Sequence, residues 1–257
     1  MTKRVAICFY GQPRLVEKGY NAISKFIKNN HNCDIDIFVH TWWDDKLIGQ
    51  LYKTSPWRNI SQDELTIKEN TIQTIVELYN PKCIVYESPK TFQNEIDEIR
   101  QLSIYKNDKD SFQSNIYNTL SNLYSKYAVS ILLKTYMSKH NIQYDTVIST
   151  RFDILNDIYL DINKLDINKI YCRNVRPRFY FADCFIVFTN MDLFLKYSMT
   201  FVNIKKINDS CGQFSKDMLI LFSVNLEELL TLNMALYYET NEYIDMVIFT
   251  NDIPNFV

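Results

Sequence analysis

Six residues near the start of the chain, Val5-Ala6-Ile7-Cys8-Phe9-Tyr10, form a short and almost wholly apolar run. Such a run reads as a β-strand buried on both faces, since a half-exposed strand would alternate polar with apolar residues. Gly11-Gln12-Pro13-Arg14 follows, and then Val16, Tyr20, Ile23 and Ile27 recur at the spacing of one helix face. Pro13 suits a first helical turn, where its missing N–H is not needed. A second run, Ile35-Asp36-Ile37-Phe38-Val39-His40, leads into Thr41-Trp42-Trp43-Asp44. Two such strands separated by a helix imply a right-handed βαβ unit and a parallel pair.

The alternation continues along the chain. Glu69 to Tyr79 reads as a helix ended by Asn80-Pro81, and Cys83-Ile84-Val85-Tyr86 as a third strand. Ile116, Leu120, Leu123, Tyr127 and Ile131 mark a long helix reaching about His140, and Asp145 to Thr150 a fourth strand. Phe181 to Thr189 is a fifth strand, followed by a helix near Met191–Phe201, a polar loop, a helix from about Leu226 to Tyr238, and a last strand over Ile244 to Thr250. Residues 45–68 read as loop, and the polar residues 87–114 as a surface excursion that is a candidate lid. The near-duplicate Leu160–Lys164 and Leu165–Lys169 lacks the glycine and spacing of a calcium loop. The pattern predicts one α/β domain over residues 1–257, three-layered, with a mostly parallel central sheet.

Composition removes several functions. The 257 residues carry 28 Lys plus Arg against 30 Asp plus Glu, a net charge of -2 that offers nucleic acid no attraction. Gly11, Gly19, Gly49 and Gly212 lie too far apart for a dinucleotide fingerprint or a P-loop. Three histidines, none in an HExxH context, cannot build a His-rich zinc site. The six cysteines form no CxxC pair, and several fall in apolar runs, so reduced thiols and a cytosolic type of compartment are expected. Val5 to Phe9 is too short for a signal segment, and Met218 to Phe222 too short to span a membrane. The two sequons, at Asn59 and Asn208, matter only in a secreted chain.

In open α/β sheets ligands bind beyond the carboxyl ends of the strands. Three polar clusters fall there. At Gly11-Gln12-Pro13-Arg14, a helix N-terminus and an arginine favour an anion such as diphosphate, unless the segment is only a turn with a surface arginine. Trp42 or Trp43 is either a stacking platform for a base or sugar or a core aromatic. At Arg151-Phe152-Asp153, the aspartate suits Mg²⁺ or Mn²⁺ and the arginine phosphate, the alternative being a salt-bridged strand end. Asp183 interrupts an aromatic strand and must be paired, metal-bound or lining a cavity. Glu228 stands three residues after Asn225, the spacing of a capping box. Arg173, Arg176 and Arg178 in one loop grip a phosphorylated acceptor or form a solvated basic loop.

Together Val5–Arg14, Asp36–Trp42, Ser125-Lys126-Tyr127-Ala128, Tyr144–Asp153, Asp183 and Glu227-Glu228 resemble a family of small GT-A-like glycosyltransferases found in bacterial surface-polysaccharide clusters and large DNA viruses. The similarity covers most of the chain except 45–110 and 155–178. The resemblance implies a GT-A-like (Rossmann-like) fold and a nucleotide-diphospho-sugar donor, with Arg151-Phe152-Asp153 in place of an Asp-x-Asp motif. Asp153 would then ligate Mn²⁺ or Mg²⁺, while Gly11, Gln12, Arg14, Ser125 and Arg151 hold nucleotide and phosphate. Arg151 replaces the first acidic residue of that motif, and an arginine can itself neutralise phosphate. In an inverting enzyme Asp183 or Glu228 would deprotonate the hydroxyl of a glycan or glycoprotein acceptor. A cytoplasmic location follows, the host cytoplasm for a viral member. Two other classes compete: a nucleotide-sugar-binding or structural protein without turnover, and a nucleotidyltransferase, which the lack of a glycine-rich loop disfavours.

Overall fold

Each residue of the opening run is sealed from solvent in the computed structural model, and the two sides of the strand face different cores. The structure describes residues 2–52, 60–102, 116–155, 157–167, 169–176, 180–207, 234–239 and 244–249, with side chains left out at 172–183, 206–207 and the last two stretches. Strand β1 (Arg4–Gly11) sends Val5, Ile7 and Phe9 to one face and Ala6, Cys8 and Tyr10 to the other. It is followed by α1 (Val16–Asn29) and β2 (Asp34–Trp42), which pairs parallel with β1. Next come α2 (Gln62–Leu65), α3 (Thr71–Tyr79), β3 (Cys83–Glu87), α4 (Gln93–Ile99) and α5 (Ile116–His140). The second half holds β4 (Thr146–Thr150), β5 (Ile170–Arg176), β6 (Tyr180–Phe188), α6 (Met191–Ser198), α7 (Thr200–Ile207), β7 (Met234–Glu239) and β8 (Ile244–Phe249).

The described strands form one sheet of order β3-β2-β1-β4-β6-β5-β7-β8. The block β3-β2-β1-β4 is parallel throughout; β6 runs against β4 and β5, and β8 against β7. The sheet is thus mostly parallel, as expected, with two reversed strands. On one face Phe26 of α1 and Ile75 and Tyr79 of α3 pack against Val5, Ile7, Phe9 and Val39. On the other, Leu120, Leu123, Val129 and Leu133 of α5, with Phe194 and Tyr197 of α6, cover Ala6, Cys8 and Phe38. Helices on both faces of a central sheet make the three-layer α/β architecture.

The close packing of α1 has a specific cause. A Cβ on Gly19 would lie 1.7 Å from the carbonyl oxygen of Phe152, so only glycine lets the helix approach the turn after β4. The ring of Phe152 is buried and stacks on Phe9 at 5.0 Å, which locks that turn to the sheet. A side chain of this size stabilises by about 1.5–3 kcal/mol on burial.

Several expectations need correction. Helix α1 begins at Val16, not at Pro13, because Leu15 takes a left-handed conformation (φ 53) that breaks the helical path. Residues 45–68 are not plain loop: a 3-10 turn over Asp45–Leu47 and α2 wrap Tyr52, Leu65 and Ile67 around Trp43. Within 87–102, α4 lays Ile99, with Phe92 before it, into the core beside α5; the remainder of the lid candidate, 103–114, lies outside the described residues. β5 was not expected, and it carries Arg173 and Arg176, which are therefore in a strand and not a loop. Residues 234–238 are strand β7, not the end of a helix, since apolar runs of this length do not separate the two by period.

Candidate anion site at the strand ends

After β1 the chain moves to β2 and β3 on one side, and after α5 it returns to β4 on the other, so the order reverses between β1 and β4. The crevice at such a point is where α/β sheets bind ligands. The Gly11–Arg14 turn hangs from one side of it and Arg151–Asp153 from the other.

Gly11 has φ 91, a conformation for glycine, and its peptide is held at both ends. Its N–H donates to Ser125 Oγ at 2.7 Å, and its carbonyl accepts from Thr41 Oγ1 at 2.8 Å. Gln12 projects to solvent while Pro13 is buried, and the Arg14 N–H closes back on the Gln12 carbonyl at 2.9 Å. Arg14 reaches across the crevice to Asp153, Nη2 to Oδ2 at 3.2 Å. From the other side Arg151 grips the same carboxylate in a fork, Nε to Oδ1 at 2.8 Å and Nη2 to Oδ2 at 2.5 Å. Burial opposes the charge of Arg151, but Asp153 more than offsets it and holds the guanidinium protonated far above neutral pH. The carboxylate is 3% exposed, whereas Arg14 is 16% and Arg151 21% exposed. Two guanidiniums thus surround one carboxylate, and the acid is the most covered of the three side chains.

A second network supports the turn from below. His40 Nδ1 meets Ser125 Oγ at 2.7 Å, and His40 Nε2 meets Glu87 Oε1 at 3.0 Å. Burial lowers the pKa of His40, and Glu87 only partly opposes this, so the ring is neutral at pH 7. Its Nε2–H then donates to Glu87 while Nδ1 accepts from the Ser125 hydroxyl, which accepts in turn from Gly11. Burial pushes the Glu87 carboxyl up, but hydrogen bonds from His40, Tyr124 and Lys90 outweigh it, and the group ends below its ordinary value. Lys90 pairs with Glu87 at 3.2 Å and also donates to the Tyr124 hydroxyl. Ser125 is fully buried, so it acts on the site through Gly11. Next to it, Lys126 is 1% exposed, with its ammonium 4.9 Å from the Tyr10 ring centroid and 5.2 Å from that of Tyr197.

The remaining candidates divide. Trp42 and Trp43 are core aromatics, 3% and 7% exposed: Trp42 stacks on Tyr124 at 5.4 Å and Trp43 fills the small cluster with Tyr52, so neither offers a ring face to a base. Asp183 lies in β6 two positions before Phe185, the partner of Thr150, which puts its backbone at the same sheet edge as Asp153. Glu228 and Arg178 lie outside the described residues. Glu87, Lys90, Tyr124 and Lys126 were missed as functional candidates; the position of Glu87 just past the third apolar run, at the same edge as His40, was the available signal. A shallow cleft of about 110 Å³ opens beside the turn, touching Pro13, Lys18, Tyr52 and Thr71, too small to enclose a nucleoside.

A divalent cation needs carboxylate oxygens able to ligate it. Both oxygens of Asp153 are taken by guanidinium N–H groups, and the described residues contain no group of three or more His, Cys, Asp or Glu side chains arranged for a metal. These residues do not fit Mn²⁺ or Mg²⁺. Cys8, Cys33, Cys83 and Cys184 are thiols, and no described helix is long and apolar enough to cross a membrane.

No model of a known protein family matches the chain, and no curated protein sequence matches it. Among solved structures it is similar to the PaToxG glycosyltransferase, at 12% identity over 90% of this chain and 70% of that one, with a TM-score of 0.39. It is also similar to a candidate nucleotide-diphospho-sugar transferase from Desulfovibrio desulfuricans G20, at 10% identity over 93% and 81% of the two chains, with a TM-score of 0.38. At these values what the site does is read from its own residues.

Proposed function

We propose that residues 1–257 form one transferase domain that moves a sugar from a nucleotide-diphospho-sugar donor to a glycan or glycoprotein acceptor. The observation that carries this reading is the Arg14–Asp153–Arg151 cluster, an edge of two guanidiniums around one covered carboxylate at the reversal point between β1 and β4. Diphosphate is the ligand such an edge suits: guanidinium forks match phosphate oxygens, and the covered aspartate holds both forks in register. In the reaction the bond between the sugar's anomeric carbon and the diphosphate oxygen breaks, its electron pair leaving with the diphosphate. Arg14 and Arg151 stabilise the charge that forms there. The acceptor hydroxyl oxygen bonds to the anomeric carbon, and its proton passes to a carboxylate, for which Asp183 and Glu228 are the candidates. Gly11 and Gln12 line the path of the phosphates, and Ser125 fixes Gly11. A cytoplasmic setting agrees with the thiol state of the described cysteines.

The test is thermal stability with UDP-, GDP-, CMP- and dTDP-sugars, followed by product analysis with the donor that binds. A donor at about 100 times its dissociation constant adds roughly 2.7 kcal/mol, a rise of roughly 5–10 °C for a chain of this size. Stabilisation by one nucleotide class together with glycosylated product supports the transferase. Binding without product under any acceptor supports a nucleotide-sugar-binding protein, and no binding overturns the reading.

A further inference from the structure

We infer that the charge on the leaving diphosphate is neutralised by Arg14 and Arg151 themselves, without a divalent cation, and that Asp153 is the positioning residue that orients them. This rests on the transferase reading. Three features of the cluster carry it. The carboxylate that a metal would need is the most covered member, its side chain 3% exposed against 16% for Arg14 and 21% for Arg151. Each carboxylate oxygen already accepts an Arg151 N–H, at 2.8 Å on Oδ1 and 2.5 Å on Oδ2, and Oδ2 is also ion-paired with Arg14 at 3.2 Å. An ion bound there would also sit against two guanidinium charges, 2.5 and 3.2 Å from its own ligand oxygen.

An anion meets the opposite situation. Asp153 holds Arg151 through both Nε and Nη2, which fixes the orientation of the guanidinium. The acid spreads the burial cost of two cations over a buried counter-charge, so the forks are set before the diphosphate arrives. Lys126 lies buried against Tyr10 beneath the same strand end, and Tyr10 also interacts electrostatically with Arg151.

The experiment is calorimetric titration of the full chain with UDP, GDP, CDP and dTDP, once in EDTA and once in Mn²⁺. The expected result is one nucleotide diphosphate binding in EDTA within about twofold of its affinity in Mn²⁺. Arg151→Met should weaken binding by roughly tenfold or more in both buffers, the weight of charge-assisted hydrogen bonds to phosphate. Asp153→Asn should weaken it by the same factor in each buffer, since its role is the same with or without metal. Binding abolished by EDTA and restored by Mn²⁺, or an Asp153→Asn loss confined to the Mn²⁺ buffer, overturns the inference while leaving the donor site standing. No binding of any nucleotide in either buffer overturns the transferase reading on which it rests. The wild-type comparison of the two buffers decides the question even where a variant fails to fold.

Discussion

Ser125 illustrates how one side chain shapes a site it never touches. Its hydroxyl stands between a backbone N–H and an imidazole nitrogen, and both lose their partner when it is removed. Ser125→Ala should therefore cost about 1–3 kcal/mol, the penalty of buried polar groups left unpaired. Urea denaturation would measure that loss, and weaker nucleotide binding should accompany it as Gly11 loosens. His40 sets a pH limit on the same brace. Its folded pKa lies below the ordinary 6.5, so at acid pH the unfolded chain binds a proton that the folded one resists. Stability is then full above about pH 6.5 and falls as pH drops through that value towards the folded pKa. Glu87, also depressed, adds a further loss below its ordinary 4.5. Melting temperatures from pH 8 to 5 should decline in the wild type and decline less in His40→Gln; equal slopes in the two would remove His40 as the cause. Of this network only His40 stood out at a strand end in the sequence, and Ser125 entered through the family resemblance alone. A hydroxyl 114 positions from its backbone partner leaves no local trace of the contact.

At the scale of elements, the approach of α1 to the turn after β4 depends on Gly19. Gly19→Ala would normally stabilise a helix interior, by about 1 kcal/mol. Here the added methyl meets the Phe152 carbonyl, between the two residues of the clasp, and the helix must retreat. The expected result is net destabilisation of about 1–3 kcal/mol, with a fall in donor affinity because Arg151 and Asp153 move with Phe152. Thermal melts with and without nucleotide would separate the two effects, and a melting temperature equal to wild type would remove the close contact as a constraint. The sequence reading failed at elements whose packing was not periodic. Residues 170–176 include Arg173, Asn174 and Arg176, a composition without the apolar run that marked the other strands, yet β6 and β7 supply the pairing that makes them a strand. The start of α1 was misjudged because Pro13 is compatible with a first turn, whereas the left-handed Leu15 beyond it ends that option.

The whole molecule is organised by strands that serve two cores at once. Phe26 belongs to the layer of α1 and α3, and Phe38 to that of α5 and α6; both are fully buried. Because β1 gives alternate side chains to each layer, neither core can open without releasing the other. Phe26→Ala and Phe38→Ala should each cost about 3–5 kcal/mol and shift one shared transition. Denaturation followed by tryptophan fluorescence and by far-ultraviolet circular dichroism should give coincident curves for both variants; separate transitions would mean independently melting layers.

Local pattern was enough to predict a three-layer α/β chain with a mostly parallel sheet that opens on a parallel pair, and the clustering of polar residues at strand ends. Those features follow from short-range periodicity, from the handedness of βαβ units and from the need to bury both faces of a parallel sheet. Tertiary structure alone decided which partner each polar atom takes. Asp153 in a sequence is an acid at the end of a strand, equally suited to a metal or to a salt bridge. It becomes the buried anchor of two guanidiniums only because the strand order brings Arg14, from the far side of β1, into contact with it. Such pairing depends on distances across the fold and on which of three charges is left facing water, neither of which is encoded in residue spacing.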